Sequence, residues 1–305
     1  MRAAARRPTA AIRWRPMLWF WLCLFTALTQ AFKDVCLKRS LSRLDVGVAV
    51  WVFTLAASAF FWLDVALSPI PVLGPGFFPV LGIGAVLGAV AFALYAVALK
   101  KGDLSLTLPM LAFTPLFLLI TSPLTLGEFP APGGLVGLVC VVAGSYVLNL
   151  RERRSGIWGP VRALWTSPGA RWMLLVAALW SIGANYDKVG VRASSPAFWI
   201  ASVYTASALA LVPLAFRGVR GGLGRIVRVP GLLLVAAAFL EAVGLVCQMH
   251  ALTMTQVSYV IAVKRVSVIF GVLFGALFFR EPDVSHRLPG AALMVLGVCF
   301  IAVFG

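Results

Sequence analysis

Runs of 17 to 25 apolar residues, each bounded by charges, Gly or Pro, recur along the whole chain and predict about ten helices of membrane-spanning length. They fall at residues 17–37, 44–67, 77–99, 104–126, 133–150, 171–191, 196–216, 230–253, 255–279 and 287–304. Connections are short except at Arg151 to Ala170 and Arg217 to Val229, which leaves no room for a soluble catalytic or nucleotide-binding domain. No Gly-rich phosphate loop ending in Lys-Ser or Lys-Thr occurs, which speaks against ATP hydrolysis by this chain. Pro109 and Pro115 interrupt the fourth run and free backbone carbonyls that only protein or water can satisfy. Gly84-x-x-x-Gly88 in the third run, and Gly271-x-x-x-Gly275 with Ser267 in the ninth, permit close helix contact.

The runs repeat. A shift of 153 residues superposes Ala98 on Ala251, Ser105 on Ser258, Phe117 on Phe270, Glu128 on Glu281, Gly137 on Gly290 and Gly144 on Gly297, without a gap for about fifty residues. A shift of 154 lays Lys33, Asp34 and Lys38 of the first run against Asp187, Lys188 and Arg192 of the sixth. Five spans is an odd number, so the second half must enter the membrane from the opposite side. The expected fold is an all-α integral membrane protein of about ten transmembrane helices, arranged as two inverted five-helix repeats.

Two turn motifs carry a resemblance: Leu126-Gly127-Glu128-Phe129-Pro130 followed by Gly137 and Gly144, and Phe279-Arg280-Glu281-Pro282 followed by Gly290 and Gly297. With the five-plus-five layout, they resemble the EamA branch of the drug/metabolite transporter superfamily. The expected organisation is a basic arm at 1–16, a first EamA-like repeat at 17–150, a basic linker at 151–170 and a second repeat at 171–305. The resemblance implies a secondary transporter or exporter of small metabolites, with a cavity between the repeats. It implies no cofactor and leaves the substrate open.

Composition agrees with a membrane protein, with 61% hydrophobic and only 12% charged residues. The net charge of +16 sits in short clusters between apolar runs, the pattern of loops at an anionic leaflet rather than of a nucleic-acid surface. The arm before residue 17 looks superficially like a signal peptide. However, the apolar run continues to Lys33 and Asp34 with no small-residue cleavage site, so it is expected to stay as the first helix, with Met17 as an alternative start. Seven Lys and Arg lie on the side holding the termini and seventeen on the other, which places the termini outside. The resemblance implies the opposite orientation. The expected location is a bacterial-type cytoplasmic (inner) membrane, among its lipids, as a monomer or homodimer. The five cysteines lie in apolar runs with no Cys-x-x-Cys spacing and are expected to be buried free thiols, with no metal site. Most tryptophans, such as Trp19 and Trp172, fall at span ends, where an interface belt accounts for them.

The candidate chemistry is a few ionisable groups inside the spans. Lys264 and Arg265 lie side by side near the middle of the ninth, where each costs at least about 2.5 kcal/mol if it faces lipid. Glu241, at a similar depth in the eighth, is expected to pair with one of them, leaving the other for an anionic group of the substrate or for gating. Adjacent helical residues diverge by about 100°, so the two cations cannot share one partner. An alternative gives Arg265 a bond to backbone carbonyls or to a polar face of a neighbour. Gln248 lies two turns after Glu241 on the same face, and Asn185, Tyr95 and Tyr259 are further candidates for the cavity. Trp180 and Tyr204 are deep enough to join them or simply to pack. The repeat-related positions of Lys264 and Arg265 are Leu111 and Ala112, so this site belongs to the second half. Lys33, Asp34, Asp187 and Lys188 recur in both halves with reversed charge order and are candidate gating ion pairs, with interfacial anchoring as the alternative.

Glu241 and His250 are the proton carriers of the eighth span, so proton coupling is one energy source open to such a transporter. His250 and His286 sit apart and no nucleophile, base and ligand set converges, which argues against an enzyme. The leading expectation is alternating-access export of a small metabolite such as an amino acid. The alternative is a flippase for a lipid or lipid-linked head group.

Overall fold

In the computed structural model, which describes residues 15–41, 43–101, 108–148, 167–218, 228–270, 273 and 288–304, the apolar runs are helices. These are α1 (Arg15–Leu41), α2 (Val46–Ala66), α3 (Phe77–Lys101), α4 (Thr114–Leu126), α5 (Pro132–Leu148), α6 (Pro168–Arg192), α7 (Pro196–Gly218), α8 (Arg228–Leu252), α9 (Val257–Lys264) and α10 (Leu288–Phe304). The Asp45 carboxylate accepts from the Gly47 N–H at 2.8 Å and caps α2. The Ser167 hydroxyl accepts from the Ala170 N–H at 3.4 Å and caps α6. Each satisfies a first-turn donor that has no partner inside its helix.

Among the described residues, α1, α2, α3, α7 and α8 are long and apolar enough to cross a membrane, and Met110–Leu126, Pro132–Val147 and Leu288–Phe304 are shorter apolar helices. The 25-residue α6 is more polar, because it carries Arg171, Asn185, Asp187, Lys188 and Arg192. Asn185 and Lys188 are buried in the bundle, which is how a span tolerates them. Large apolar side chains such as Trp21, Leu63, Phe78 and Leu209 are exposed on the outside, as lipid-facing surfaces require. The chain is an integral, multi-pass membrane protein. The cysteines correct one expectation: all are free, but only Cys23 is buried. Cys36, Cys140 and Cys247 are half-buried and Cys299 is exposed, since an apolar run says only that a residue meets acyl chains or protein, not which.

The packing reproduces the repeat. α1 lies on α8 as α6 lies on α3; α3 meets α7 as α8 meets α2; α4 meets α6 as α9 meets α1. The repeat mates α2 and α7 pack on each other, and so do α5 and α10. A methyl added at Gly137 would lie 2.6 Å from the Gly297 carbonyl oxygen, and one at Gly144 would lie 2.7 Å from that of Gly290. Index rises along α5 as it falls along α10, so the mates run antiparallel and the two repeats are inverted. These contacts are backbone on backbone. Gly137→Val is therefore expected to force α5 and α10 apart and lower stability by about 1–3 kcal/mol, measured by thermal unfolding in detergent. An unchanged midpoint would mean that the interface yields freely.

One predicted span is not continuous. The ninth run was expected to be a single helix, but α9 ends at Lys264, a turn occupies Arg265 and Val266, and helix resumes at Ser267. The amides of Val266, Val268 and Ile269 bond to Val263, Arg265 and Val266 at 3.0, 3.1 and 2.8 Å, three residues back rather than four, the tighter 3₁₀ pattern that marks hinges and functional breaks. The repeat-related stretch Leu108–Phe113 is also 3₁₀ and leads into α4, where Pro115 occupies the first turn. Both inverted repeats thus break the same helix at the same place, as the discontinuous helices of secondary transporters do. Gly271, Gly275, Glu281 and His286, with most of the arm and linker, lie outside the described residues.

Candidate functional site

The two breaks meet. Arg265 Nη2 donates to the Thr114 hydroxyl at 2.8 Å, joining the turn after α9 to the first residue of α4. Thr114 in turn donates to the Leu111 carbonyl at 2.8 Å, satisfying an acceptor that the 3₁₀ stretch leaves open. Beside this crossing lies a cavity with about 820 Å³ of empty space including its open part, lined by α1, α3, α4, α6, α7, α8, α9 and the following turn. Both repeats contribute to its wall.

Charge is distributed unevenly around that wall. Lys33 of α1, only 2% exposed, pairs with the Glu241 carboxylate of α8 at 3.0 Å and approaches Asp34 at 3.5 Å. The second oxygen of Glu241 accepts from Tyr204 of α7 at 2.7 Å. Asp34 accepts from Tyr95 at 2.7 Å and from Gln30 at 2.9 Å, and the Lys33 ammonium stands 5.6 Å from the centre of the Tyr95 ring. Lys33 thus lies between two carboxylates, and each charge in this cluster is ion-paired and hydrogen-bonded, the condition for keeping ions in a low-dielectric interior. The expected pairing of Glu241 with Lys264 or Arg265 is thereby corrected. α8 packs along α1, so Lys33 reaches Glu241 first, and comparable depth in the membrane did not reveal which helices are neighbours.

Lys264 instead donates to the Gln248 side-chain carbonyl at 2.7 Å, while Arg265 goes to Thr114. The two cations diverge to different elements, Lys264 from the last residue of α9 and Arg265 from the turn that follows it. Asp187 of α6 lines the same cavity and accepts from the Trp199 indole N–H at 2.9 Å.

Of the seven residues expected at a substrate site, Lys264, Arg265, Glu241 and Gln248 line this cavity. The other three do not. Tyr95 lines a smaller adjoining pocket with Lys33 and Phe53. Asn185 is buried against α4, accepting from the Ser122 hydroxyl at 2.7 Å. Tyr259 is lodged at the entry to α5, where its hydroxyl accepts the Ala131 N–H at 2.9 Å. Gln30, Thr114 and Ser207 line the cavity without having been singled out, since one hydroxyl or amide in an apolar run leaves no pattern.

A second ionic cluster lies at the end of the bundle that holds the α4–α5, α6–α7 and α8–α9 connections. Gly127 ends α4 in the left-handed region at φ +67, a geometry that glycine adopts without strain, and turns the chain so that Glu128 points back into the bundle. Glu128 pairs with Lys188 at 2.7 Å and with Arg192 at 3.2 Å, both on α6. Its other oxygen accepts the Val257 N–H at the start of α9 at 3.4 Å. Lys188 also donates to the Thr255 carbonyl at 2.7 Å. One loop of the first repeat is thus tied to two elements of the second. Of the four candidate gating residues, Lys33 and Lys188 make ion pairs across the bundle, Asp34 is held within the α1–α3 corner, and Asp187 has an indole rather than an ammonium as its hydrogen-bond donor. Glu128 had been read only as part of a turn motif.

Two inverted five-helix repeats, each with a broken fourth helix, enclose a charged cavity, an architecture that membrane transporters use. The chain belongs to the EamA-like transporter family, which matches residues 17–150 and 167–303, and such a transporter acts on a small molecule. A crystal structure of another protein shares the fold at a TM-score of 0.70, with 16% identity over 92% of this chain and 94% of that one. No match is found among curated protein sequences.

Proposed function

We propose that the protein moves a small metabolite, such as an amino acid or a related compound, across a bacterial-type cytoplasmic membrane by alternating access, in the export direction. The observation that carries this reading is the cavity lined by both repeats, together with the Glu128 cluster that ties them at one end, which we take as the shut end. That end also holds the start of α1 and the end of α10, and the Lys and Arg distribution along the sequence favours it as the outside. A cavity shut towards the outside is the state that loads from the cytoplasm. The Lys33–Glu241 pair spans the two repeats through α1 and α8, so a rocking motion between them would have to break or carry it. Glu241 is also the carboxylate through which a proton gradient would couple to this motion.

The test is counterflow in proteoliposomes. Vesicles loaded with unlabelled amino acids are expected to accumulate the matching radiolabelled one, and an imposed proton gradient is expected to change the rate. Transbilayer movement of a polyprenyl phosphate with no soluble exchange would replace this reading with a flippase.

A further inference from the structure

Resting on the transport reading, we infer that Lys264 and Arg265 form a docking subsite for the carboxylate of the substrate, whose remaining body is apolar. Among the described residues five charged side chains line the cavity: the cations Lys33, Lys264 and Arg265, and the carboxylates Glu241 and Asp187. Glu241 is committed to Lys33 and Tyr204. Asp34 lies behind Lys33 at 3.5 Å, also bonded to Tyr95 and Gln30, and is not part of the wall. Among the described residues no carboxylate lies within 4.0 Å of either Lys264 or Arg265.

Among the described residues their hydrogen-bond partners are neutral: a Gln248 amide for Lys264 and a Thr114 hydroxyl for Arg265. Arg265 is 5% exposed, and its Nε is buried without a hydrogen-bond partner. A buried charged donor left unmade is costly, and structures retain such a group where a ligand completes it. A guanidinium with a free donor beside an ammonium is matched by the planar, two-oxygen geometry of a carboxylate.

The excess positive charge is local to Lys264 and Arg265, because Lys33 is held between Glu241 and Asp34 at 3.0 and 3.5 Å. With Asp34 counted, the three cations are balanced by three carboxylates, so a singly charged carboxylate disturbs the interior less than a doubly charged phosphate. The same cavity is also lined by Phe92, Trp180, Leu179, Leu245 and Ile261, a surface for an apolar or aromatic body. Asp187 is the group opposite in sign, available to an ammonium when the substrate carries one.

The test uses the full chain in nanodiscs and reads quenching of tryptophan fluorescence by four probes: 3-phenylpropionate, L-phenylalanine, phenethylamine and glycerol 3-phosphate. The two carboxylates are expected to bind about tenfold or more tightly than phenethylamine and glycerol phosphate. Arg265→Gln and Lys264→Gln are each expected to erase that preference. Size-exclusion profiles check that both variants fold, and the second variant stands independently if the first fails. Equal binding of phenethylamine, tighter binding of glycerol phosphate, no binding of any probe, or an unaltered preference in the folded variants overturns the subsite. Carboxylate-selective binding without movement of either carboxylate in proteoliposomes supports the subsite and removes the transport reading instead.

Discussion

Replacing Glu241 with Gln is expected to abolish transport and to lower stability by about 3–5 kcal/mol, because Lys33 is then left in the interior without its full counter-charge. Lys33→Met is expected to act similarly, stranding Glu241 with only the Tyr204 hydroxyl. The double variant removes both charges together. It is expected to recover part of the stability, since neither replaced position carries a charge, while Asp34 keeps its Tyr95 and Gln30 hydrogen bonds but loses its cation. Transport is expected to stay lost. Chemical unfolding in mixed micelles gives the stability cycle and proteoliposome counterflow gives activity. A double variant that regains activity along with stability would reduce the pair to a strut between α1 and α8 and withdraw Glu241 from the mechanism.

Glu128→Gln is the second large effect, and here the expected change is in access. The Lys188 side chain, 7% exposed, has Glu128 as its only ionic partner among the described residues, and the carboxylate also receives the first amide of α9. Without the carboxylate, the penalty of a buried unpaired ammonium falls on the shut state alone, because opening hydrates Lys188. That penalty is about 3–5 kcal/mol for a broken buried pair, and every 1.4 kcal/mol shifts such an equilibrium about tenfold. Labelling can follow it. In a background with the five native cysteines replaced, Ala184→Cys in the cavity wall is expected to react with an impermeant maleimide about tenfold or more faster once Glu128 is Gln, from the side that holds the termini. Unchanged labelling with normal transport would make the cluster a structural tie rather than a gate.

The site was partly visible beforehand, and the parts that were not share a cause. Lys264 and Arg265 stood out because charges in an apolar run are rare and expensive wherever the helix ends up. Gln248 followed from helical spacing relative to Glu241, a local relation. The Lys33–Glu241 pair was missed because its members are 208 positions apart, and only the contact of α1 with α8 joins them. Glu128 looked like part of a turn until the left-handed Gly127 aimed it at α6. Asp187 looked like half of an ion pair and instead holds an indole. The break in the fourth helix could be read from Pro109 and Pro115, whereas its counterpart at Arg265 and Val266 has no proline or glycine to announce it.

Reading the chain alone was enough to establish the membrane, the helices and the doubled, inverted plan. Those follow from segment hydrophobicity, from length against bilayer thickness and from the parity of five crossings, all properties of a stretch and its copy. Which charges neutralise each other, which cations are left facing the cavity and where the ninth helix yields were decided by the folded bundle. Ion pairs act over a few ångströms, and the separations between helices exist only once the two repeats have packed.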